Sequence, residues 1–256
     1  MNILVTGGAG FIGSHLVDTL VEAGHDVTVL DDLSSGRKEY VNQAARFCQG
    51  DVRDTEALDR LFAGTAFDVV FHGADKTQAP CSMLHPREEA DVSILGLINV
   101  LEHCRRHDVK KILLSSSAAV YGNQEKGLAD ETAPVQPQSF YGLTKAAAEA
   151  YAALYHRMYG LPYAVLRYAN VYGERQGSGT EDGVVSLFSR ALAAGNPMTI
   201  YGDGNQSRDF IYVRDAASAS MAAMAADVPS GIYNISTKIE TTINALKEIL
   251  MYFAQI

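Results

Sequence analysis

Cysteine is scarce and scattered in this chain. Cys48, Cys81 and Cys104 are odd in number and form no CxxC. Neither a disulfide framework nor a zinc knuckle is expected, and all three read as reduced thiols. Cationic charge is short as well: 21 Lys and Arg face 30 Asp and Glu, a net charge of −9. Non-specific nucleic-acid or anionic-membrane binding needs a cationic surface, so neither partner is expected. No apolar run reaches the length of a membrane-spanning helix. The start, Met1-Asn2-Ile3-Leu4, has no basic region and meets glycine too early for a signal peptide. The expected setting is the cytoplasm. Internal repeats, low-complexity linkers and histidines at ligand spacing are absent too, so no metal site is expected. His72 reads as a core histidine, and Glu181 and Asp182 read as solvated loop acids.

What is present is ordinary for a globular chain: 256 residues, 47% hydrophobic and 20% charged. Short apolar runs alternate with helical patterns. Strands are expected at Ile3–Val5, Asp26–Leu30, Arg46–Gly50, Asp68–Phe71, Lys111–Ser115 and Tyr163–Arg167. Between them lie a helix from about Phe11 to Ala23, one capped by Asp54, an unbroken helix from Pro86 to His107, and one capped by Ser139 and ending at Gly160. Strands that are apolar throughout and separated by helices mean a parallel sheet covered on both faces. The expected fold class is α/β, a doubly wound parallel (Rossmann) sheet with ligands at the carboxyl ends of its strands. Past Tyr172 the rhythm breaks into Gly-rich loops and short elements, with an Ala-rich helix at 216–226. The expected division is a dinucleotide-binding domain over 1–172 and a smaller, partly interleaved lobe over 173–256.

Thr6-Gly7-Gly8-Ala9-Gly10-Phe11-Ile12-Gly13 joins the first strand to the first helix. It satisfies G-x-G-x-x-G and G-x-x-G-x-x-G at once. Glycines allow the tight turn, close approach of a pyrophosphate to backbone, and a helix start against the strand. The helix N-terminus then offers free N–H groups to phosphate. A plain tight turn would fit three glycines alone, but here a strand precedes, a helix follows and acids come later. Asp31 and Asp32 end the second strand, with Asp31 18 residues past Gly13. A carboxylate there binds ribose hydroxyls and repels a 2′-phosphate, which favours NAD. Arg37 and Lys38 nearby leave NADP open.

Tyr141 and Lys145 stand at i and i+4 near the start of a helix and share a face. A tyrosine pKa near 10 is about three units too high for a base at neutral pH, a gap of roughly 4 kcal/mol. A lysine ammonium one turn away and a positive nicotinamide can close it. The bland alternative is a surface pair on an Ala-rich helix. Ser115-Ser116-Ser117 follows the fifth strand, where a hydroxyl can meet substrate and tyrosine, or simply shape a turn.

In these motifs the chain resembles the extended short-chain dehydrogenase/reductase family, and within it the NAD-dependent nucleotide-sugar 4-epimerases acting on UDP-glucose and UDP-galactose. The matches run in order from Met1 to about Thr242: TGGAGFIGSH, LDDLSSG, Gly50-Asp51, SSSAAVYG, YGLTK, RYANVYG, YGDGNQSRDFIYVRD and YNIS. The resemblance implies an isomerase that keeps NAD bound. Its cofactor site would comprise Gly7, Gly10, Phe11, Ile12, Gly13, Asp31, Asp32, Ser34, Gly36, Asp51, Val52, Ala74, Ser115, Tyr141, Lys145, Tyr168 and Val171. Ser117 would be the catalytic hydroxyl, Tyr141 the base, and Lys145 the ligand of the nicotinamide ribose. The nucleotide-diphosphate sugar would meet Ser117, Tyr141, Asn170, Val184, Tyr201 and Arg208, with Arg208 on the diphosphate. The alternative for Arg208 is a surface pair with Asp209.

Ala118 and Ala119 stand where sugar dehydratases of this family carry Asp-Glu and related decarboxylases Ser-Glu. That points to oxidation, rotation and reduction, not elimination. Two other readings stay open: another NAD(P)-dependent nucleotide-sugar oxidoreductase, and a non-catalytic NAD-binding homologue. The chain departs from the family's pattern at Asp75, where a small apolar residue is usual. It departs again along Lys76–Arg87 and at Ser93, where the family has asparagine. Last, the chain stops soon after Ile243, where relatives continue for several tens of residues with more nucleotide contacts and cover for the lobe; if that cover is missing, substrate affinity and water exclusion should both suffer. By the same resemblance, helices at Pro86–His107 and Ser139–Tyr159 would pair two copies into a homodimer.

Overall fold

The computed structural model describes residues 1–76, 79–123, 129–177 and 183–254, except the side chains of Ala79 and Cys81. Glu181 and Asp182 lie outside these residues. Seven strands form one parallel sheet: β1 Asn2–Thr6, β2 Asp26–Asp31, β3 Arg46–Gln49, β4 Val69–His72, β5 Lys111–Ser117, β6 Tyr163–Tyr168 and β10 Gly231–Ile235. Their spatial order is β10-β6-β5-β4-β1-β2-β3. β1 leads to β2 on one side and β4 lies on the other, so the order reverses between β1 and β4. That reversal opens a crevice at the carboxyl ends of the strands.

Alternate residues of each strand feed two cores. On one face Leu4, Val70, Ile112, Leu114 and Val165 meet α2 (Thr55–Gly64), α5 (Leu97–Arg106) and α6 (Phe140–Tyr159). On the other, Ile3, Val5, Val29, Phe71 and Leu113 meet α1 (Phe11–Glu22) and α8 (Val213–Ala223). Both faces are dry, which is why these strands are apolar at every position instead of every second one. Asp54 caps α2 by accepting from the Ala57 N–H at 3.0 Å, and Ser139 caps α6 by accepting from the Gly142 N–H at 3.1 Å. Gly160 closes α6 at φ 74°. The Ala-rich helix begins earlier than its alanines suggest, because Val213 is buried ahead of Ala216 and Ala217.

The region past Tyr172 is interleaved with the sheet. β10 pairs with β6 along five residues, and α8 lies against α1. Outside the sheet, β7 (Asn170–Tyr172) pairs in parallel with β9 (Phe210–Tyr212), and β8 (Ser207–Arg208) pairs antiparallel with β11 (Thr241–Thr242). There α7 (Val184–Ala193) and α9 (Ile243–Phe253) share a small core of Phe188, Ile243 and Leu246.

The unbroken helix expected over Pro86–His107 is corrected. After α3 (Ala79–Leu84), α4 covers Pro86–Ala90, a wide π turn covers Asp91–Gly96, and α5 follows. Gly96 sits against Val52, whose Cγ2 would lie 2.6 Å from a Cβ there. Glu89, on α4, and Ser93, on the π turn, are both buried.

His72 is buried at the end of β4. The Thr6 hydroxyl accepts from the Gly73 and Ala74 N–H groups at 3.3 and 3.2 Å, which leaves its hydrogen for His72 Nδ1 at 2.9 Å. Burial pushes the imidazole down from 6.5 to about 4. The unfolded chain therefore takes up a proton as pH falls below about 6.5, while the folded chain holds out to about 4. The fold should lose up to about 3 kcal/mol across that window from this group alone. Urea unfolding at stepped pH should show the loss, and His72→Asn, which keeps an acceptor for Thr6, should flatten it.

Candidate active site

An open cleft of about 560 Å³ occupies the crevice. Gly7 and Gly10 line its floor. Gly7 has φ 73°, and a Cβ there would lie 2.7 Å from the backbone of Gly73 and Ala74. A Cβ on Gly13 would lie 2.1 Å from the Gly7 carbonyl oxygen. The strand, turn and helix thus meet backbone to backbone. Phe11, Ile12 and Gly13 open α1, and no side chain caps that helix. Its first N–H groups are left for an anionic ligand.

The β2 side of the cleft is acidic. Asp31 is buried, and its two oxygens accept from the Ala9 and Leu33 N–H groups at 2.9 Å each. Burial raises its carboxyl above the usual range. Each oxygen keeps a lone pair for a hydroxyl. Asp32 and Ser34 line the same wall, and the Ser34 N–H donates to Asp32 Oδ1 at 2.8 Å. Gly36 packs against Ala9 and Asp31. Asp51 and Val52 form the far end, where Arg53 grips Asp51 at 2.5 Å and holds its carboxyl low. Arg37 lies against Glu39 and Tyr40, and Lys38 over Phe47. Both cations are engaged with side chains of their own segment, and a carboxylate faces the cleft. This donor set fits NAD.

At the other end of the crevice, β5 and α6 bring Ser115, Ser117, Tyr141 and Lys145 together. The Tyr141 and Ser117 hydroxyls are hydrogen-bonded. Ser117 Oγ also accepts from the Ala119 N–H at 3.1 Å, which turns the chain into the short helix Ala118–Tyr121. Lys145 Nζ donates to the Ser115 carbonyl at 2.6 Å and stands 5.7 Å from the centre of the Tyr141 ring. The Tyr141 N–H donates to Ser82 Oγ at 3.0 Å, so α3 braces the start of α6.

The departure at Asp75 lands in this cluster. Asp75 lines the cleft beside Ala74 and forms a buried ion pair with Lys145. Burial pushes the Tyr141 phenol above its ordinary value; Lys145 pulls it down and Asp75 pushes it up again. The expectation that Lys145 brings the phenol down is therefore met only as one contribution, and the chain's own groups leave it raised. Sequence reasoning also missed Glu89. It is buried, accepts from Thr144 Oγ1 at 2.9 Å, has Ser93 Oγ 3.3 Å away, and has its carboxyl raised by burial and then by Asp75.

A second network lies behind β5. Arg167 donates to Glu149 through Nε at 2.9 Å and Nη2 at 2.6 Å. Ser116 Oγ donates to Glu149 Oε1 at 2.5 Å, and Arg167 Nη1 reaches Tyr121 at 2.8 Å. Tyr121 then donates to Asn234 on β10 at 2.7 Å. Arg167 stands in the RYANVYG motif and Glu149 one turn beyond Lys145, but nothing in the sequence pairs them.

The residues expected to meet substrate are spread over the lobe. Asn170 is exposed on β7 and donates to the Asp209 carbonyl at 3.1 Å. Arg208 is exposed on β8. Asp209 spends its carboxylate on Thr237 and on the Lys238 N–H, so it does not hold Arg208. Tyr201 is exposed, and Val184 starts α7 against the small core. Tyr168 is buried with its hydroxyl on Ser220 at 2.6 Å, its phenol pushed up to about 12, and Val171, on β7, packs against the core on the α1 and α8 side. Cys48 and Cys104 are free thiols, and burial pushes the Cys104 thiol up.

A Gly-built phosphate cradle, a ribose-facing acid and a Ser–Tyr–Lys cluster on one doubly wound sheet define a dinucleotide-dependent enzyme. The profile of the NAD dependent epimerase/dehydratase family matches residues 3–236, and the chain belongs to that family. It is 38% identical to the UDP-glucose 4-epimerase of Mycolicibacterium smegmatis, over 96% of this chain and 80% of the relative. The UDP-glucose 4-epimerase of Thermotoga maritima, solved with UDP-glucose, superposes with a TM-score of 0.97 at 41% identity, covering 100% of this chain and 83% of the other. That of Thermus thermophilus, solved with NAD, superposes at 0.94 and 39% identity, covering 100% and 84%.

Two substitutions test this geometry. Gly13→Ala should weaken NAD binding by about tenfold or more, ~1.4 kcal/mol, in a calorimetric titration. Glu149→Gln should cost about 3–5 kcal/mol in urea unfolding, because it strands the buried Arg167 charge. Glu149→Gln with Arg167→Met should recover part of that loss.

Proposed function

We propose that this protein is an isomerase that uses NAD to interconvert the C4 epimers of a nucleotide-diphosphate sugar of the UDP-glucose/UDP-galactose type. The observation that carries the reading is the cluster of Ser117, Tyr141 and Lys145 at the carboxyl end of β5, followed by Ala118 and Ala119. No acid follows the catalytic hydroxyl, and the nearby Asp75 and Glu89 are held by Lys145, Ser93 and Thr144. The cluster has one group able to move a proton at the sugar hydroxyl, and epimerisation needs only one.

In this reading Ser117 holds the sugar 4-hydroxyl and passes its hydrogen bond to Tyr141. Tyr141 takes the hydroxyl proton and later returns it. Lys145 binds the nicotinamide ribose and favours the phenolate. NAD held by these residues would supply a reversible hydride acceptor beside C4, and inversion follows once the 4-keto sugar has turned its other face to it. Gly7, Gly10, Phe11, Ile12 and Gly13 receive the pyrophosphate, Asp31, Asp32, Ser34 and Gly36 the adenosine ribose, and Asp51 and Val52 the adenine. Ala74, Ser115, Tyr168 and Val171 surround the nicotinamide end. Asn170, Val184, Tyr201 and Arg208 hold the nucleotide sugar, with the Arg208 guanidinium on its diphosphate. Residues 1–172 then carry the cofactor and 173–256 the substrate side, with the 213–235 stretch returned to the sheet.

The homodimer belongs to the same proposal. Leu143, Leu154 and Met158 on α6 and Leu95 on the π turn before α5 stay exposed, apolar surface suited to a second copy. Among the described residues no helix is long and apolar enough to cross a membrane. Work in the cytoplasm, where NAD and nucleotide sugars are found, is the matching proposal. The buried Asp75–Lys145 pair favours a second reading, an NAD-binding protein without catalysis.

Incubation with UDP-galactose and assay for UDP-glucose separates the two. The intact chain should form product, and Tyr141→Phe should lower kcat by about 10²-fold or more. Denatured protein should release NAD in near-stoichiometric amount. Absence of product from the intact chain, with NAD still released and no turnover of added cofactor, would leave only the binding role.

A further inference from the structure

The resemblance does not account for the polar cluster around Asp75. Asp75 follows β4 and is as fully buried as its partner: the Lys145 and Asp75 side chains are 6% and 8% exposed. One Lys145 N–H goes to the Ser115 carbonyl and a second to Asp75. The other Asp75 oxygen accepts from Ser93 Oγ, on the π turn, and from the Lys76 N–H at 2.7 Å. The carboxylate is therefore held from three directions and cannot swing away from the lysine without leaving polar groups unpaired. The other titratable groups facing this pair are Tyr141 on α6, Glu89 on α4, His72 on β4 and Tyr168 on β6.

An ammonium alone stabilises a phenolate through its full charge. An ammonium closed on a carboxylate acts as a dipole, whose field falls off faster with distance. We propose that Asp75 is a positioning residue for the reaction, clamping Lys145 against β5 and neutralising it toward Tyr141, so that the pair and not Lys145 alone sets the pH at which Tyr141 serves as base. The kinetic consequence rests on the epimerase reading; the electrostatic one does not.

The balance of groups supports the sign. Burial acts to lower the Lys145 ammonium, while Asp75, then Tyr141, act to raise it, and the net result is raised. Tyr141 is raised as well. Removing the Asp75 charge should release both groups downward, although the observed limbs will belong to the cluster and not to single residues.

The test is Asp75→Asn, which keeps an acceptor for Ser93, with Asp75→Ala as a second variant should the amide disturb folding. The first readout is the tyrosinate absorbance of the chain without substrate, titrated with pH and taken as the difference from Tyr141→Phe in the same background. The midpoint should fall by about one unit. The second readout is the pH profile of kcat/KM for UDP-galactose, whose acid and basic limbs should both move to lower pH. Unmoved midpoints and limbs, with only the melting temperature changed, would mean Asp75 merely packs, and the proposal falls. A tyrosinate shift in a chain that forms no UDP-glucose would uphold the role of Asp75 and remove the epimerase reading instead.

Discussion

The buried ion pair between Arg167 and Glu149 fastens the helix that carries Tyr141 and Lys145 to the strands that carry Ser115 and Ser117. Arg167 stands on β6, beside β5, and Glu149 stands one turn past Lys145 on α6. Ser116 points to Glu149 from between the two functional serines, since alternate residues of a strand face opposite sides. The register of β5 against β6 therefore sets the distance between the serine hydroxyl and the tyrosine. Tyr121 and Asn234 carry the same network to β10, so a strand from late in the chain helps hold a site built from its middle. Such a pair costs desolvation, and its geometry must be good to offset that. Here both carboxylate oxygens and the guanidinium find partners.

Around this brace the molecule handles charge by placement. A chain of net charge −9 must bind an anionic cofactor and an anionic substrate against its own field. In the proposed reading it would do so with uncapped N–H groups at the start of α1, the exposed Arg208 of the lobe, and a lysine whose charge is already paired. The acids are committed in turn: Asp31 to backbone, Asp51 to Arg53, and Asp209 to the 237–238 segment.

Most of the sheet was legible in the sequence, because strands buried on both faces leave an apolar run and the helices between them an amphipathic one. The first turn was legible because backbone contact demands glycine at Gly7 and Gly13. The Tyr141–Lys145 pair was legible because a helix turns spacing into proximity. Glu89 and Ser93 were not. Both are buried beside the site from the segment where α4 passes into the π turn at Asp91–Gly96, and a π turn has no composition of its own. The state of Tyr141 was read only in part, since Lys145 could be seen beside it but Asp75, 70 positions before Lys145 in the chain, could not. The strand added by β10 was hidden for a similar reason. GIYNI is short, and its partner β6 lies far back along the chain.

The sequence by itself determined the local chemistry: which turn can approach a phosphate, which helix face carries Tyr141 and Lys145, and which positions after Ser117 lack an acid. These depend on residues within one turn or one strand of each other, where geometry follows from spacing. Only the tertiary structure decided which charges neutralise one another. Lys145 meets Asp75, and Glu149 meets Arg167, across elements that fold from separate parts of the chain. Burial removes the water that would otherwise screen them, so long-range packing and not sequence spacing sets the proton affinity of Tyr141.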